Sequence, residues 1–357
     1  MEAKKVKRPR IPYFNQYWGF SIFILQHVWP ESQRLESFRK SNVQSVVKKL
    51  KAFWTAQGYE FAPTIPVERR KNLSEKDFVK NYLHKGIPVI FDGEAQSWPC
   101  TGKWDLNFLR DSYGDEEFSL IDSTGLVESE LNTAEGKTDS VLVKKIKARD
   151  FVNSIRQGVK NYLRGCPILE MRPELLDDLN LEWLARYRRC LLGVSYQTFL
   201  GAAGRTTPIH NETTAFFFVL AEGEKKWTLC PVSETVLINP APEGRGYNFS
   251  KVSTRKPDAD TYPGFEFVTK YVCDMKQGDI LFVPAWMWHE VENLSESWAL
   301  SYRFTYLRGF LRYPGFAFIR IFLAKPSFLE TLYYSFFRSD MSKRDKNLLV
   351  PRIFIRK

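Results

Sequence analysis

The sequence predicts a mainly β protein with flanking helices, in which a small barrel or jelly roll lies between helical N- and C-terminal extensions. Three observations predict it. Between Leu191 and Tyr306, short apolar runs of strand character are separated by glycine or proline. On either side of the central region the apolar spacing becomes helical. Hydrophobic residues make up 44% of 357, enough for a large buried core and too many for a disordered chain. The chain divides accordingly into a helical extension over 1–70, a central domain over 71–306 with its barrel core at about 190–306, and a basic, aromatic helical segment over 307–357.

Near the start, the apolar run Trp18–Leu25 follows basic residues. It is short and ends in Gln26-His27 with no small-residue cleavage site, so it does not read as a secretory signal. No stretch reaches the length of a transmembrane helix. Asn42–Trp54 places Val43, Val46, Val47, Leu50 and Phe53 at helical spacing with lysines opposite. Ser74-Glu-Lys-Asp-Phe-Val reads as a capped helix start. Gly86–Asp92 reads as a turn into a strand, and Lys103–Leu109 as a helix. Residues 141–189 alternate short strand and helix patterns. The expected core strands are Leu192–Leu200, Ala215–Leu220, Lys226–Cys230, Phe267–Cys273, Ile280–Val283 and Trp298–Tyr306. Ser233–Thr269, polar and holding seven prolines and glycines, reads as an insertion loop. Two aromatic, basic helices follow Tyr306, split at Lys325-Pro326.

The net charge of +11 belongs to the ends. Residues 1–10 carry +4 and residues 308–357 carry +8, while residues 11–307 sum to −1. A core built to bind nucleic acid would carry the basic excess itself. Cys100, Cys166, Cys190, Cys230 and Cys273 form no C-x-x-C pair, which argues against a structural zinc module and for a reducing, cytoplasmic compartment, or a nuclear one in a eukaryote.

Only four histidines exist, His27, His84, His210 and His289, and two fall in one frame. Thr207-Pro-Ile-His210-Asn-Glu212 is followed, 77 residues after the glutamate, by Pro284-Ala-Trp-Met-Trp-His289. On a strand His210 and Glu212 face the same side, and His289 follows the strand-like Gly278–Pro284. Two histidines and a carboxylate on one face of an octahedron leave three positions open, the arrangement of non-haem Fe(II) oxygenases. An isolated H-x-E is common by chance, and the bland alternative is two ordinary histidines.

These segments together resemble the JmjC or cupin-like Fe(II)- and 2-oxoglutarate-dependent oxygenases. The resemblance runs from about Gly86 to Phe304, on GIPVIF, KWDLNFL with YGD, TPIHNE, GEKKWTLCP and GDILFVPAWMWHEVENL followed by ALSYRF. It implies a double-stranded β-helix of the cupin-like kind, with His210, Glu212 and His289 holding Fe(II), and 2-oxoglutarate and O2 as co-substrates. It also implies a lysine for the distal carboxylate of 2-oxoglutarate, some fifteen positions beyond the first ligand, which falls on Lys225; Lys226 faces the other side of the strand, so only one of the pair can enter the barrel. Thr207 matches a hydroxyl position for the same carboxylate. Ser301 stands where many relatives carry an asparagine, and Arg303 is a rival carboxylate anchor. Phe216 departs from the pattern, because relatives place an asparagine there. Trp286 and Trp288 read as core aromatics.

The resemblance implies hydroxylation of a protein or peptide side chain. Modification of a tRNA base or a small molecule, N-methyl-lysine demethylation, and a non-oxygenase metal-binding cupin acting as an isomerase or binding module are the alternatives. The basic tails leave RNA open as a partner. The C-terminal Phe310–Phe337 segment suits packing or a homodimer, with contact to an anionic membrane surface as the other reading.

Overall fold

A computed structural model describes residues 11–29, 32–121, 143–188, 194–240 and 249–318. The basic residues 1–10, Cys190 and the C-terminal segment beyond Phe318 lie outside the described residues, and with them the RNA, dimer and membrane readings placed on the ends.

The described strands are β1 (Thr64–Pro66), β2 (Glu68–Arg70), β3 (Val89–Phe91), β4 (Glu117–Ile121), β5 (Val143–Lys147), β6 (Tyr162–Cys166) and β7 (Val194–Gly201). They continue with β8 (Thr206–His210), β9 (Ala215–Glu222), β10 (Glu224–Cys230), β11 (Lys270–Lys276), β12 (Ile280–Val283), β13 (Trp288–Asn293) and β14 (Ser297–Phe304). Of the two large sheets, one has the order β1-β11-β10-β13-β8 and the other β2-β3-β12-β9-β14-β7-β6, while β4 and β5 pair with each other as a separate two-stranded sheet. Pairing is antiparallel except at the edges, where β1 joins β11 and β2 joins β3 in parallel. The two sheets form a jelly roll with helices at the termini. Residues 64–70 thus supply one strand to each sheet.

Strand β9 shows why part of the sequence lacks simple alternation. Phe216, Phe218 and Leu220 point between the sheets and pack with Trp227, Leu229, Met275 and Leu281. Phe217 and Val219 point outward and are also buried, under the helical layer of Phe78, Trp104 and Trp183. Phe78 places its ring 4.8 Å from Phe282 and 5.7 Å from Phe217. A sheet covered on both faces reads as a continuous apolar run. Each fully buried Phe contributes roughly 2–3 kcal/mol.

The expected helices form where their caps allow. Ser74 Oγ accepts the Asp77 N–H at the start of helix Glu75–Phe78, and Asp105 accepts the Phe108 N–H at 2.6 Å at the start of Leu106–Tyr113. The run Trp18–Leu25 lies in α1 (Tyr13–Val28), and Asn42–Trp54 lies in α2 (Gln33–Thr55). Within Asn42–Trp54 the buried apolar residues are Val43, Val46, Leu50 and Trp54, whose indole donates to the Phe267 carbonyl at 3.3 Å. Val47 and Phe53 only flank the core.

Two expectations need correction. The strand list omitted β8 and β13, which carry His210 and His289, because their mixed polarity hides them. The insertion Ser233–Thr269 is not simply a polar loop. Val236, Leu237, Ile238, Phe249, Val252, Phe265 and Phe267 are buried and pin it against the barrel.

The Gly-Asp pair before β12 has a structural explanation. Asp279 is 2% exposed; it accepts the N–H groups of Gly93 at 3.1 Å and Lys276 at 2.8 Å and pairs with Arg69 at 2.7 Å. An Asp279→Ala protein should lose about 2–3 kcal/mol in urea unfolding, because buried donors are left unsatisfied. An unchanged midpoint with an unchanged slope would refute this role.

Candidate metal centre

Register brings the histidines together. In the antiparallel β8–β13 pair His210 lies directly opposite His289, with a bulge immediately after, and their ring centroids are 4.2 Å apart. Glu212 completes the group: one ligand atom from each of the three lies within 4.8 Å of the others, and His210 Nε2 is 3.8 Å from Glu212 Oε1. Glu212 does not reach this point from a strand, as its spacing suggested. β8 ends at His210, and Glu212 sits in the following turn, where its carbonyl accepts the Trp286 N–H at 2.7 Å.

Both imidazoles are aimed by their own backbones. His210 Nδ1 is 2.8 Å from the Pro208 carbonyl and His289 Nδ1 is 2.9 Å from the Met287 carbonyl. A carbonyl can only accept, so Nδ1 carries the proton and Nε2 presents its lone pair. Burial, reinforced by His289, pushes the His210 pKa well below its ordinary range, and burial brings that of His289 down to about 4. Both rings are therefore neutral near pH 7, with no proton for a cation to displace. Burial raises the Glu212 carboxyl, but the charges of Arg303, His289 and Arg164 outweigh it and leave the group below its usual value. Two neutral nitrogens and a carboxylate suit a divalent first-row metal. Among the described residues this is the one cluster of such side chains with metal-binding spacing.

Two stacked arrangements flank the ligands. Arg164 lies 6.0 Å from the Phe249 ring, which stacks on His210 at 5.6 Å. Arg303 lies 5.6 Å from the Phe216 ring, which meets His289 edge-on at 5.6 Å. Arg303 also forms an ion pair with Glu212 and donates to Ser301 Oγ at 3.2 Å. Of the two proposed carboxylate anchors, Arg303 is therefore engaged beside the metal ligands.

Lys225 occupies the barrel interior. It is fully buried, whereas Lys226 is exposed, as the alternation of β10 requires. Its Nζ donates to Asn293 Oδ1 at 2.6 Å and lies 5.8 Å from the Tyr162 ring and 5.9 Å from the Phe218 ring. Among the described residues no carboxylate pairs with it, and burial alone brings its pKa down to about 7. Thr207 is buried nearby, its hydroxyl bonded with that of Tyr162. Between Lys225 and His289 the wall consists of Phe218, Trp227 and Phe216, and the buried Trp227 indole N–H has no hydrogen-bond partner. A buried ammonium facing no anion and a buried donor facing no acceptor fit an anionic, oxygen-rich ligand.

Sequence reasoning missed Tyr162, Asn293, Phe249 and Arg164. No local pattern marks them: each reaches the site through sheet register or through the anchored insertion. Trp286 and Trp288 are both buried, and Trp288 donates to Thr235 Oγ1 at 2.8 Å.

A jelly roll that brings His210, Glu212 and His289 within metal-binding spacing has the form of a cupin-like domain with a candidate metal site. Residues 75–307 match the cupin-like domain family, and the chain belongs to that family. It is 25% identical over 235 residues to lysine-specific demethylase 8 of Xenopus tropicalis, covering 64% of this chain and 50% of that protein. It is 26% identical over 241 residues to lysine-specific demethylase JMJ30 of Arabidopsis thaliana, covering 66% and 54%. With arginine-specific demethylase JMJ22 of the same plant it shares 25% over 300 residues, covering 79% and 53%. The chain spans about half the length of these relatives.

Proposed function

We propose that the protein is an Fe(II)- and 2-oxoglutarate-dependent dioxygenase that hydroxylates a side chain of a protein or peptide. The observation that carries this reading is the pairing of one His-Glu-His cluster, its imidazoles unprotonated, with a buried, anion-free Lys225 in the same barrel. His210, Glu212 and His289 hold Fe(II). Lys225, with Thr207 and Tyr162 beside it, receives the distal carboxylate of 2-oxoglutarate, and Ser301 lines the wall near Arg303. Bound iron supplies the oxidative chemistry, in which O2 and 2-oxoglutarate become succinate, CO2 and one oxygen inserted into a substrate C–H bond. The chain itself fixes both imidazole orientations, keeps them unprotonated, and surrounds the reacting space with Phe216, Trp227 and Phe249.

The names of the relatives support a protein-borne substrate and favour a second reading, demethylation of an N-methylated cation. Arg164 and Arg303 weigh against it, since the charges of both act on all three ligand side chains and disfavour another cation beside them. The test is incubation of the Fe(II)-loaded protein and 2-oxoglutarate with matched peptides bearing neutral, acidic or N-methylated side chains. A gain of one oxygen with succinate release is expected for a neutral or acidic peptide. Loss of a methyl group from the cationic peptides alone would replace hydroxylation by demethylation. Failure to form succinate under any condition would favour the binding-module reading.

A further inference from the structure

Trp286 combines three features that its neighbours lack. Its φ is +65°, a left-handed conformation that a bulky residue adopts only when its surroundings impose it. Its backbone N–H donates to the carbonyl of Glu212 at 2.7 Å. Its indole Nε1 donates to the Phe310 carbonyl at 3.0 Å, and the two rings lie 5.3 Å apart. Phe310 belongs to the helix Leu307–Leu311, which is separate from the strands and turn that carry His210, Glu212 and His289.

The consequence follows from where Glu212 sits. It lies past the end of β8, so no strand ladder holds its backbone. The bond from Trp286 ties it to the turn that leads, three residues later, into His289. The same turn is clamped from outside by the helix. We propose that Trp286 is a positioning residue that sets the spacing of Glu212 and His289 and makes it depend on how the helix Leu307–Leu311 is seated against the barrel. This rests on the reading of the cluster as a metal site. Left-handed backbone would be relaxed by glycine, so the two anchors rather than its own preference hold a tryptophan in this conformation.

The test is Co(II) titration of the full-length protein, followed by visible absorption, which reports affinity and coordination geometry independently of turnover. Trp286→Gly accepts the backbone angle but loses the anchor, and Trp286→Phe keeps a ring but loses the indole bond. Phe310→Ala removes the ring packed on the Trp286 indole while keeping the carbonyl that accepts its N–H, and exposed Leu311→Ala on the same helix is the control. Trp286→Gly should bind Co(II) about tenfold more weakly, the scale seen when a partner that orients a ligand is removed. Its absorption band should shift, Phe310→Ala should follow in the same direction, and Leu311→Ala should match the parent. Parent-like affinity and spectrum in both Trp286→Gly and Phe310→Ala overturn the proposal. If Trp286→Gly does not fold, Trp286→Phe and Phe310→Ala decide it by the same criterion. A parent protein that binds no Co(II) instead removes the metal reading beneath it.

Discussion

A His289→Ala protein should bind Co(II) or Mn(II) at least about 100-fold more weakly than the parent, because loss of a ligand exceeds the cost of losing an outer partner. It should form no succinate. The effect is large because the site is organised in advance. Each imidazole is already oriented by a backbone carbonyl and already deprotonated, so little of the binding energy is used to arrange it. The removed ring also packs against His210, Phe216 and Trp227. Thermal unfolding of the variant should separate this packing loss from the metal loss: added Co(II) stabilises the parent by mass action and leaves the variant's midpoint in place. A variant retaining parental metal affinity would remove His289 from the site.

A Lys225→Met protein should lose 2-oxoglutarate affinity by about 100-fold, in line with about 2–5 kcal/mol for removing one partner of a buried charge pair. Its fold should be no less stable, since in the absence of an anion the lysine is a buried cation without compensation. The pH dependence has a defined sign. The folded pKa of about 7 lies below the unfolded value near 10.4. Between those values the unfolded chain holds a proton that the folded one lacks, so Lys225 makes stability rise with pH across that window. Below about 7 both states are protonated and the full cost of the buried charge is present. Urea unfolding at pH 6, 8 and 9.5 (chosen around those values) should show this rise in the parent and its absence in Lys225→Met. Binding of a dianion favours the charged lysine, so 2-oxoglutarate affinity in the parent should fall as pH rises above about 7. Equal affinity in the two proteins would return the anchoring role to Arg303.

Some of the site was legible because its chemistry is local. Scarcity made the histidines conspicuous: two of four stood in one metal-binding frame. Period-2 alternation showed that only one of Lys225 and Lys226 could face the interior, and the family resemblance picked Lys225. The interval between Ser301 and Arg303 put them on one face, and the structure joins them by a hydrogen bond. Other parts were legible only in outline. The i, i+2 spacing suggested that His210 and Glu212 converge, and they do, but through a turn held by Trp286 rather than through a strand. The insertion looked polar by composition, yet Phe249 within it stacks on His210.

Residue chemistry alone thus specified the candidate histidine and carboxylate frame, the opposite facing of Lys225 and Lys226, the helix caps and the alternation of strand and punctuation, since each depends on side chains a few positions apart. Folding decided the rest. The opposition of His210 to His289 is a matter of inter-strand register, and the neutrality of both rings and the depressed pKa of Lys225 come from burial. The approach of Tyr162, Arg164 and Asn293 depends on which strands become neighbours. None of these quantities exists along the chain. They arise when distant segments exclude water together and lower the local dielectric around the groups they enclose.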